Sequence, residues 1–121
     1  MSSRSQTVLA IEDDLEVLGI IRAHLSGAGY TVLAAQTGEA GLELARSQPV
    51  DLITLDLLMS PVGGRDVLHR LRAHAATRDI PVVLVTVVDE MSDDLAADGY
   101  VSKPFLGRRL LAEVRRLIPP F

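Results

Sequence analysis

One stretch decides the fold: residues 81–86 read Pro-Val-Val-Leu-Val-Thr, an almost uninterrupted apolar and largely β-branched run. A strand with apolar side chains on both faces is typical of a parallel sheet that is covered by helices on both sides. Asp51–Asp56 and Thr7–Ile11 repeat this pattern, and two further runs occupy Tyr30–Ala34 and Gly99–Ser102. The sequence therefore predicts five buried strands.

Amphipathic segments separate these strands, with apolar residues at helical spacing. The first helix is expected to end at Gly27 and Gly29, and Thr37 is expected to cap the second. The residues predicted to face the core are Leu18, Ile21 and Leu25, then Ala40 and Leu44, then Val67, Leu68, Leu71 and Ala75, and finally Leu110, Val114 and Leu117. Because strands and helices alternate, the sequence predicts an α/β fold with a doubly wound parallel sheet.

Length and composition narrow the class of protein. The chain has 121 residues, which suits one domain spanning residues 1–121 with a core at about 7–118, and we expect no output domain. It has no cysteine, which excludes disulfides and thiolate chemistry. A net charge of −4 and 3% aromatic residues argue against direct binding to nucleic acid. No run is apolar over the roughly 20 residues that span a membrane, so a cytoplasmic protein without membrane contact is expected.

Polar side chains follow four of the five predicted strands at the point where each ends. Glu12 and Asp13 follow the first strand, Asp56 the third and Thr86 the fourth, while Lys103 comes directly after the fifth. Ligands of parallel sheets bind at the carboxyl ends of the strands, so these side chains are expected to converge. Clustered carboxylates suit Mg²⁺. A metal would leave Asp56 free to attack phosphorus, with Lys103 and Thr86 holding the phosphoryl oxygens.

Each residue alone also has an ordinary structural explanation. An aspartate at a strand end is often a turn residue, and the acidic run Glu12–Asp14 would suit a helix N-terminus, where Asp14 is the best cap. The three histidines, His24, His69 and His74, are expected to face solvent or the edge of the core. It is the combination of four strand ends with compatible chemistry that favours a functional site.

From about Thr7 to Ile118, the sequence resembles the receiver domains of bacterial two-component response regulators. The motifs that carry the resemblance are Glu12-Asp13 after an apolar strand, Asp56 after another, Thr86 after Ile80–Val85, and Lys103-Pro104-Phe105. The resemblance implies a flavodoxin-like, five-stranded sheet in the order 2-1-3-4-5. It also implies a signalling protein that catalyses only its own phosphorylation and slow dephosphorylation.

The resemblance further implies a ligand set and a phosphoryl donor. Asp56 would accept a phosphoryl group from the phosphohistidine of a sensor histidine kinase or a histidine phosphotransfer protein. Asp13, Asp56 and the backbone carbonyl of Leu58 would hold Mg²⁺, and Glu12 would act through water.

Three further residues receive roles from the same resemblance. Lys103, on a cis peptide bond to Pro104, would pair with the phosphoryl group. Thr86 would donate a hydrogen bond to that group and draw in Tyr100, the aromatic switch position.

Two departures from the family pattern concern the segment after the fourth strand. Val87 stands where alanine or glycine is usual, which would narrow access to Asp56. The interval Thr86–Lys103 is about five residues shorter than in common stand-alone receivers, and Asp89–Asp94 is a poor helix opener. The fourth helix of the family fold is therefore predicted to be short or irregular.

Two alternatives remain. One is a pseudo-receiver, an interaction module that works without phosphorylation. The other is an aspartate-nucleophile phosphatase, which is disfavoured because such enzymes usually carry a second acid two residues after the nucleophile, where this chain has Leu58.

Overall fold

The computed structural model describes residues 5–59, 63–87, 96–104 and 107–119. The strands are β1 (Thr7–Ile11), β2 (Thr31–Ala35), β3 (Leu52–Leu55), β4 (Val82–Thr86) and β5 (Gly99–Ser102). The helices in these ranges are α1 (Leu15–Gly27), α2 (Gly38–Ser47), α3 (Gly64–Ala73) and α4 (Gly107–Leu117). All neighbouring strands are parallel, in the order β2-β1-β3-β4-β5. The predicted sheet and its strand order are thereby confirmed.

Two of the sequence predictions concern residues that lie wholly or mostly outside the described ranges. The short or irregular fourth helix of the family fold was predicted within residues 87–99, of which 88–95 lie outside the described ranges. Phe105 lies outside them as well. Within the described ranges, no helix is long and apolar enough to cross a membrane.

The sheet is buried on both faces, as the apolar strands predicted. Every residue of β3 and β4 is buried. Helices α2 and α3 cover one face with Leu42, Ala45, Val67, Leu68 and Leu71. Helices α1 and α4 cover the other with Leu18, Ile21, Leu25, Leu110 and Val114. Because both faces are covered, the exposed carboxyl edge is where polar side chains can gather.

Side-chain caps start two of the helices shortly after strands. Asp14 Oδ1 accepts hydrogen bonds from the backbone N–H of Glu16 at 2.9 Å and of Val17 at 3.3 Å. Thr37 Oγ1 accepts one from the N–H of Ala40 at 3.1 Å. Both caps were predicted and are confirmed. Each of these helices therefore begins within a few residues of the preceding strand, so the loops after β1 and β2 are short.

Several packing predictions were wrong in detail. Ala40 is exposed, because α2 turns Gly38, Gly41, Leu42 and Ala45 toward the core. A Cβ on Gly41 would lie 2.5 Å from Ile11 Cδ1, so this close approach to β1 sets the rotation of the helix. Ala75 is exposed because α3 ends before it. Strand β2 begins one residue later than predicted, after Tyr30, whose hydroxyl donates to the backbone carbonyl of Ile118, the residue that follows α4.

Candidate functional site

Three carboxylates meet at the carboxyl edge of the sheet. Glu12 and Asp13 follow β1, and Asp56 follows β3, its neighbour in the sheet. Each offers a carboxylate oxygen within 4.8 Å of the other two. Glu12 and Asp56 are only 1% and 4% exposed, whereas Asp13 faces solvent. The structure thus brings together the acidic residues that the sequence placed at separate strand ends.

Lys103 lies between the two buried carboxylates. Its Nζ is 3.0 Å from Glu12 Oε1 and 3.0 Å from Asp56 Oδ2. Its backbone N–H donates to the carbonyl of Thr86 at 2.8 Å, which extends the pairing of β4 with β5. The Lys103–Pro104 peptide bond is cis, as predicted. The fifth strand therefore delivers the one ammonium group that the sequence analysis assigned to this edge.

Burial and charge shift the ionisation of this cluster. Burial raises the pKa of Glu12 to about 7, with the charge of Asp56 acting in the same direction and the hydrogen bond from Lys103 opposing it. Burial alone would lower the pKa of Lys103, but its hydrogen bonds to Glu12 and Asp56 outweigh burial and raise it. With three carboxylates against one ammonium, the fully ionised cluster carries an excess of negative charge.

The donor set fits a hard divalent cation. It consists of carboxylate oxygens, the ligands that Mg²⁺ prefers. Within the described ranges, Glu12, Asp13 and Asp56 are the only group of three such side chains close enough to share an ion. Glu12 Oε1 forms an ion pair with Lys103, and Glu12 Oε2 accepts a hydrogen bond from the backbone N–H of Asp14 at 3.2 Å. This arrangement suits a carboxylate that acts through water more than a direct ligand.

Asp56 is fixed by the loop that follows β3. Its Oδ1 accepts a hydrogen bond from the backbone N–H of Leu58 at 3.0 Å, and its Oδ2 faces Lys103. The loop is held in turn by Gly64, whose N–H donates to the carbonyl of Leu57 at 3.0 Å. A Cβ on Gly64 would lie 2.5 Å from Leu57 Cα and closer still to the carbonyl oxygen of Asp56. The start of α3 therefore packs directly on the backbone that carries Asp56, a contact that the sequence did not reveal.

Thr86 and Tyr100 lie on the same face of the sheet. Thr86 is the last residue of β4 and is fully buried. Its Oγ1 has no hydrogen-bond partner among the described residues. Tyr100 pairs with Leu84, two residues before Thr86 on β4, and is partly buried against the core on that face. A buried hydroxyl without a partner costs about 1–3 kcal/mol. Thr86 therefore has a donor available at the edge where the acids gather.

A cleft of about 210 Å³ opens over this cluster. It is lined by Glu12, Asp13, Asp14, Asp56, Leu58, Val87 and Lys103. Leu58 and Val87 are 52% and 37% exposed. Val87 was predicted at the mouth of the site and lies there. The sequence analysis gave a role only to the backbone carbonyl of Leu58, so the position of its side chain in the cleft was missed.

Comparisons with known proteins agree with the site geometry. The response regulator receiver domain family matches residues 8–115. The chain belongs to this family. It is 39% identical over 116 residues to the DNA-binding dual master transcriptional regulator RpaA of Synechocystis, across 92% of this chain and 48% of that protein. It is 35% identical over 116 residues to the response regulator MprA of Mycolicibacterium vanbaalenii, across 92% and 49%. The receiver domain thus spans about half the length of the curated relatives it matches.

Solved receiver structures share the fold. The chemotaxis protein CheY4 of Vibrio cholerae superposes with a TM-score of 0.87 at 25% identity, across 95% of this chain and all of that one. The receiver domain of the sensor histidine kinase PA1611 of Pseudomonas aeruginosa gives 0.87 at 25% identity, across 95% of this chain and 98% of that one. The latter is described with a magnesium ion coordinated in its active-site cleft.

Proposed function

We propose that this receiver domain takes a phosphoryl group onto Asp56 from the phosphohistidine of a sensor histidine kinase or a histidine phosphotransfer protein. One observation carries the proposal: a nearly buried carboxylate is held by Lys103 and lies within metal-sharing distance of two further carboxylates. The domain catalyses only its own phosphorylation and a slow loss of the group. Its output is a change in which protein it binds.

The transfer is a displacement at phosphorus. An oxygen of Asp56 attacks the phosphorus atom, the bond from phosphorus to the imidazole nitrogen breaks, and that nitrogen keeps the electron pair and later takes a proton. Lys103 pairs with the charge on the transferred group. Mg²⁺, when bound, neutralises charge on the phosphoryl oxygens. Asp13, Asp56 and the carbonyl of Leu58 would hold it, with Glu12 acting through water.

The proposed switch of Thr86 and Tyr100 is driven by the negative charge of the phosphoryl group. A phosphoryl group adds nearly two negative charges and three strong acceptor oxygens. Thr86 Oγ1, which lacks a partner among the described residues, donates to one of them, and Thr86 moves toward the site. Tyr100, on the same face of the sheet, follows into the space that Thr86 vacates.

The relatives guide the partner proposal. RpaA is described as DNA-binding, but this chain matches only 48% of it. With a net charge of −4, the receiver domain itself repels phosphate backbones, so we assign it protein partners.

The experiment that tests this function is incubation with labelled acetyl phosphate, with Mg²⁺ or with EDTA. Label that is incorporated only with Mg²⁺ and removed by hydroxylamine, as an acyl phosphate is, supports the proposal. Absence of label under both conditions would favour the pseudo-receiver alternative, an interaction module that works without phosphorylation.

The variant Asp13→Asn is expected to weaken Mg²⁺ binding at least tenfold, or about 1.4 kcal/mol. Asp13 would lose a direct bond to the ion, whereas Glu12→Gln would remove only charge and orientation, so its effect should be smaller. Metal titration of each variant measures the order. Asp14→Asn is the matched control, because it removes a nearby charge and keeps a good helix cap. If Glu12→Gln were the weakest binder, the ligand assignment would be wrong.

The variant Val87→Ala is expected to speed both phosphorylation by acetyl phosphate and the later hydrolysis, by roughly tenfold. Valine is stiff at χ1 and cannot readily swing away from the path to Asp56. Because Val87 is 37% exposed, its truncation should cost little stability. Unchanged rates combined with a clear fall in melting temperature would show that Val87 acts as a core residue.

A further inference from the structure

A second cavity, of about 460 Å³, lies beside the edge strand β2. It opens between α1 and the start of α2, and among the described residues none lines both this cavity and the cleft over Asp56. Small-molecule sites in proteins typically occupy about 300–1,000 Å³. The cavity is therefore large enough to hold an organic ligand of modest size.

The lining of this cavity is mostly apolar. Leu15 and Leu18 line it from α1, Ala34 and Ala35 from the end of β2, and Ala40 from α2. Leu15 is 64% exposed, so the cavity leaves a large apolar side chain in contact with water. Removing apolar surface from water is favourable. The lining therefore favours a ligand with an apolar body.

Gly19 keeps the cavity open in the middle of α1. A glycine inside a helix is destabilising relative to alanine, so its presence there calls for a reason. Packing does not supply one, because among the described residues no atom beyond its chain neighbours and its own helix backbone would lie within 4 Å of an added Cβ. Gly19 does line the cavity, and a side chain at this position would take up part of its volume.

Arg22 of α1 is the charged residue of the described lining. Its guanidinium forms no ion pair within the described ranges. Gln36 and Thr37 add polar atoms to the same wall. Arginine binds carboxylates through two parallel hydrogen bonds. A single guanidinium balances one negative charge, which favours a carboxylate over a doubly charged phosphate ester in a domain whose net charge is already −4.

We propose that this cavity binds a small aliphatic carboxylate, with its chain along Leu15 and Leu18 and its carboxylate on Arg22. The site is additional to the phosphoacceptor site and takes a different class of ligand. The carbonyl of Ala35, in the lining, accepts a hydrogen bond from the backbone N–H of Glu12 at 2.9 Å. The ligand therefore contacts the strand end that adjoins the acidic cluster.

The test is titration of the isotope-labelled domain with sodium octanoate, followed by heteronuclear NMR. The backbone amide signals of Gly19, Ala34, Ala35 and Gln36 should shift together and saturate, because these residues line the cavity. Acetate carries the same head group without the chain, and octylammonium carries the same chain with a positive charge. Both should bind at least about fivefold more weakly than octanoate.

Two variants separate the head group from the chain. Arg22→Gln should weaken octanoate binding about tenfold, whereas Arg46→Gln removes an exposed arginine outside the lining and should leave binding unchanged. Leu15→Gln should weaken binding about threefold or more by removing apolar contact. Ile20→Gln is its control, because Ile20 is also apolar and 42% exposed but does not line the cavity.

A third variant, Gly19→Leu, fills the cavity and strengthens the helix at the same time. It should raise the melting temperature by about 3 °C and abolish octanoate binding. A gain in stability with a loss of binding excludes a general loss of structure as the cause. Gly27→Leu is the matched control, since Gly27 lies on the same helix with open space around it but outside the lining.

The absence of saturable shifts at the lining residues would overturn the proposal. Equal binding of octanoate and octylammonium, or unchanged binding in Arg22→Gln, would also overturn it, because the cavity would then be an apolar groove without selection for an anion. Neither result bears on the phosphorylation of Asp56, which acetyl phosphate tests separately.

Discussion

Replacing Lys103 with methionine is expected to slow phosphorylation of Asp56 by about 100-fold or more. The variant keeps the length of the side chain and removes the ammonium that lies 3.0 Å from both Asp56 and Glu12. The negative charge that arrives with the phosphoryl group then has one cation fewer to meet it. Binding of Mg²⁺ should become tighter in the same variant, because the repulsion between Lys103 and the ion is lost.

The opposite direction of these two effects makes the prediction specific. If Lys103 had only a structural role, its removal would slow phosphorylation and weaken Mg²⁺ binding together. Acetyl phosphate uptake and metal titration measure them separately, and Lys103→Arg is the control that keeps the charge with a different shape. Normal phosphorylation in Lys103→Met would exclude the assigned role.

Replacing Gly64 with alanine is expected to lower the free energy of unfolding by about 3 kcal/mol. The new methyl group would meet the backbone of Asp56 and Leu57, which cannot move aside as a flexible side chain could. Since that backbone carries the phosphoacceptor, the fraction of protein that remains folded should also accept phosphate more slowly. Chemical denaturation and acetyl phosphate uptake measure the two losses.

The neighbouring Gly63 supplies a matched control. Among the described residues, no atom beyond its chain neighbours would lie within 4 Å of a Cβ there, and its φ of −66° suits any residue. Gly63→Ala changes only the helix cap and should cost no more than about 1 kcal/mol. Equal losses at the two positions would show that the contact with Asp56 does not decide the effect.

The sheet could be predicted because its signal is local and strong. Strands such as β4 are apolar on both faces, and that pattern has few structural solutions other than a helix-covered parallel sheet. The meeting of Glu12, Asp13, Asp56 and Lys103 followed from a topological rule, which needs the order of elements along the chain and no detail of their packing.

What the sequence missed depends on close approaches between distant segments. The rotation of α2 is set by Gly41 against Ile11, so the exposure of Ala40 could not be inferred from spacing alone. Gly64 looked like a turn residue, because its contact with the backbone of Asp56 exists only in the folded chain. The position of the Leu58 side chain in the cleft depends on the fold of the segment after β3, which the strand pattern does not specify.

The measurement that tests the central claim most directly is the intact mass of the protein after incubation with acetyl phosphate and Mg²⁺. Wild type and Asp56→Asn are compared, and Asp66→Asn on the exposed surface of α3 serves as the control for loss of an aspartate. The account predicts one added phosphate on the wild type and on Asp66→Asn, and none on Asp56→Asn. A wild type without added phosphate, or an Asp56→Asn variant that still gains one, would contradict it.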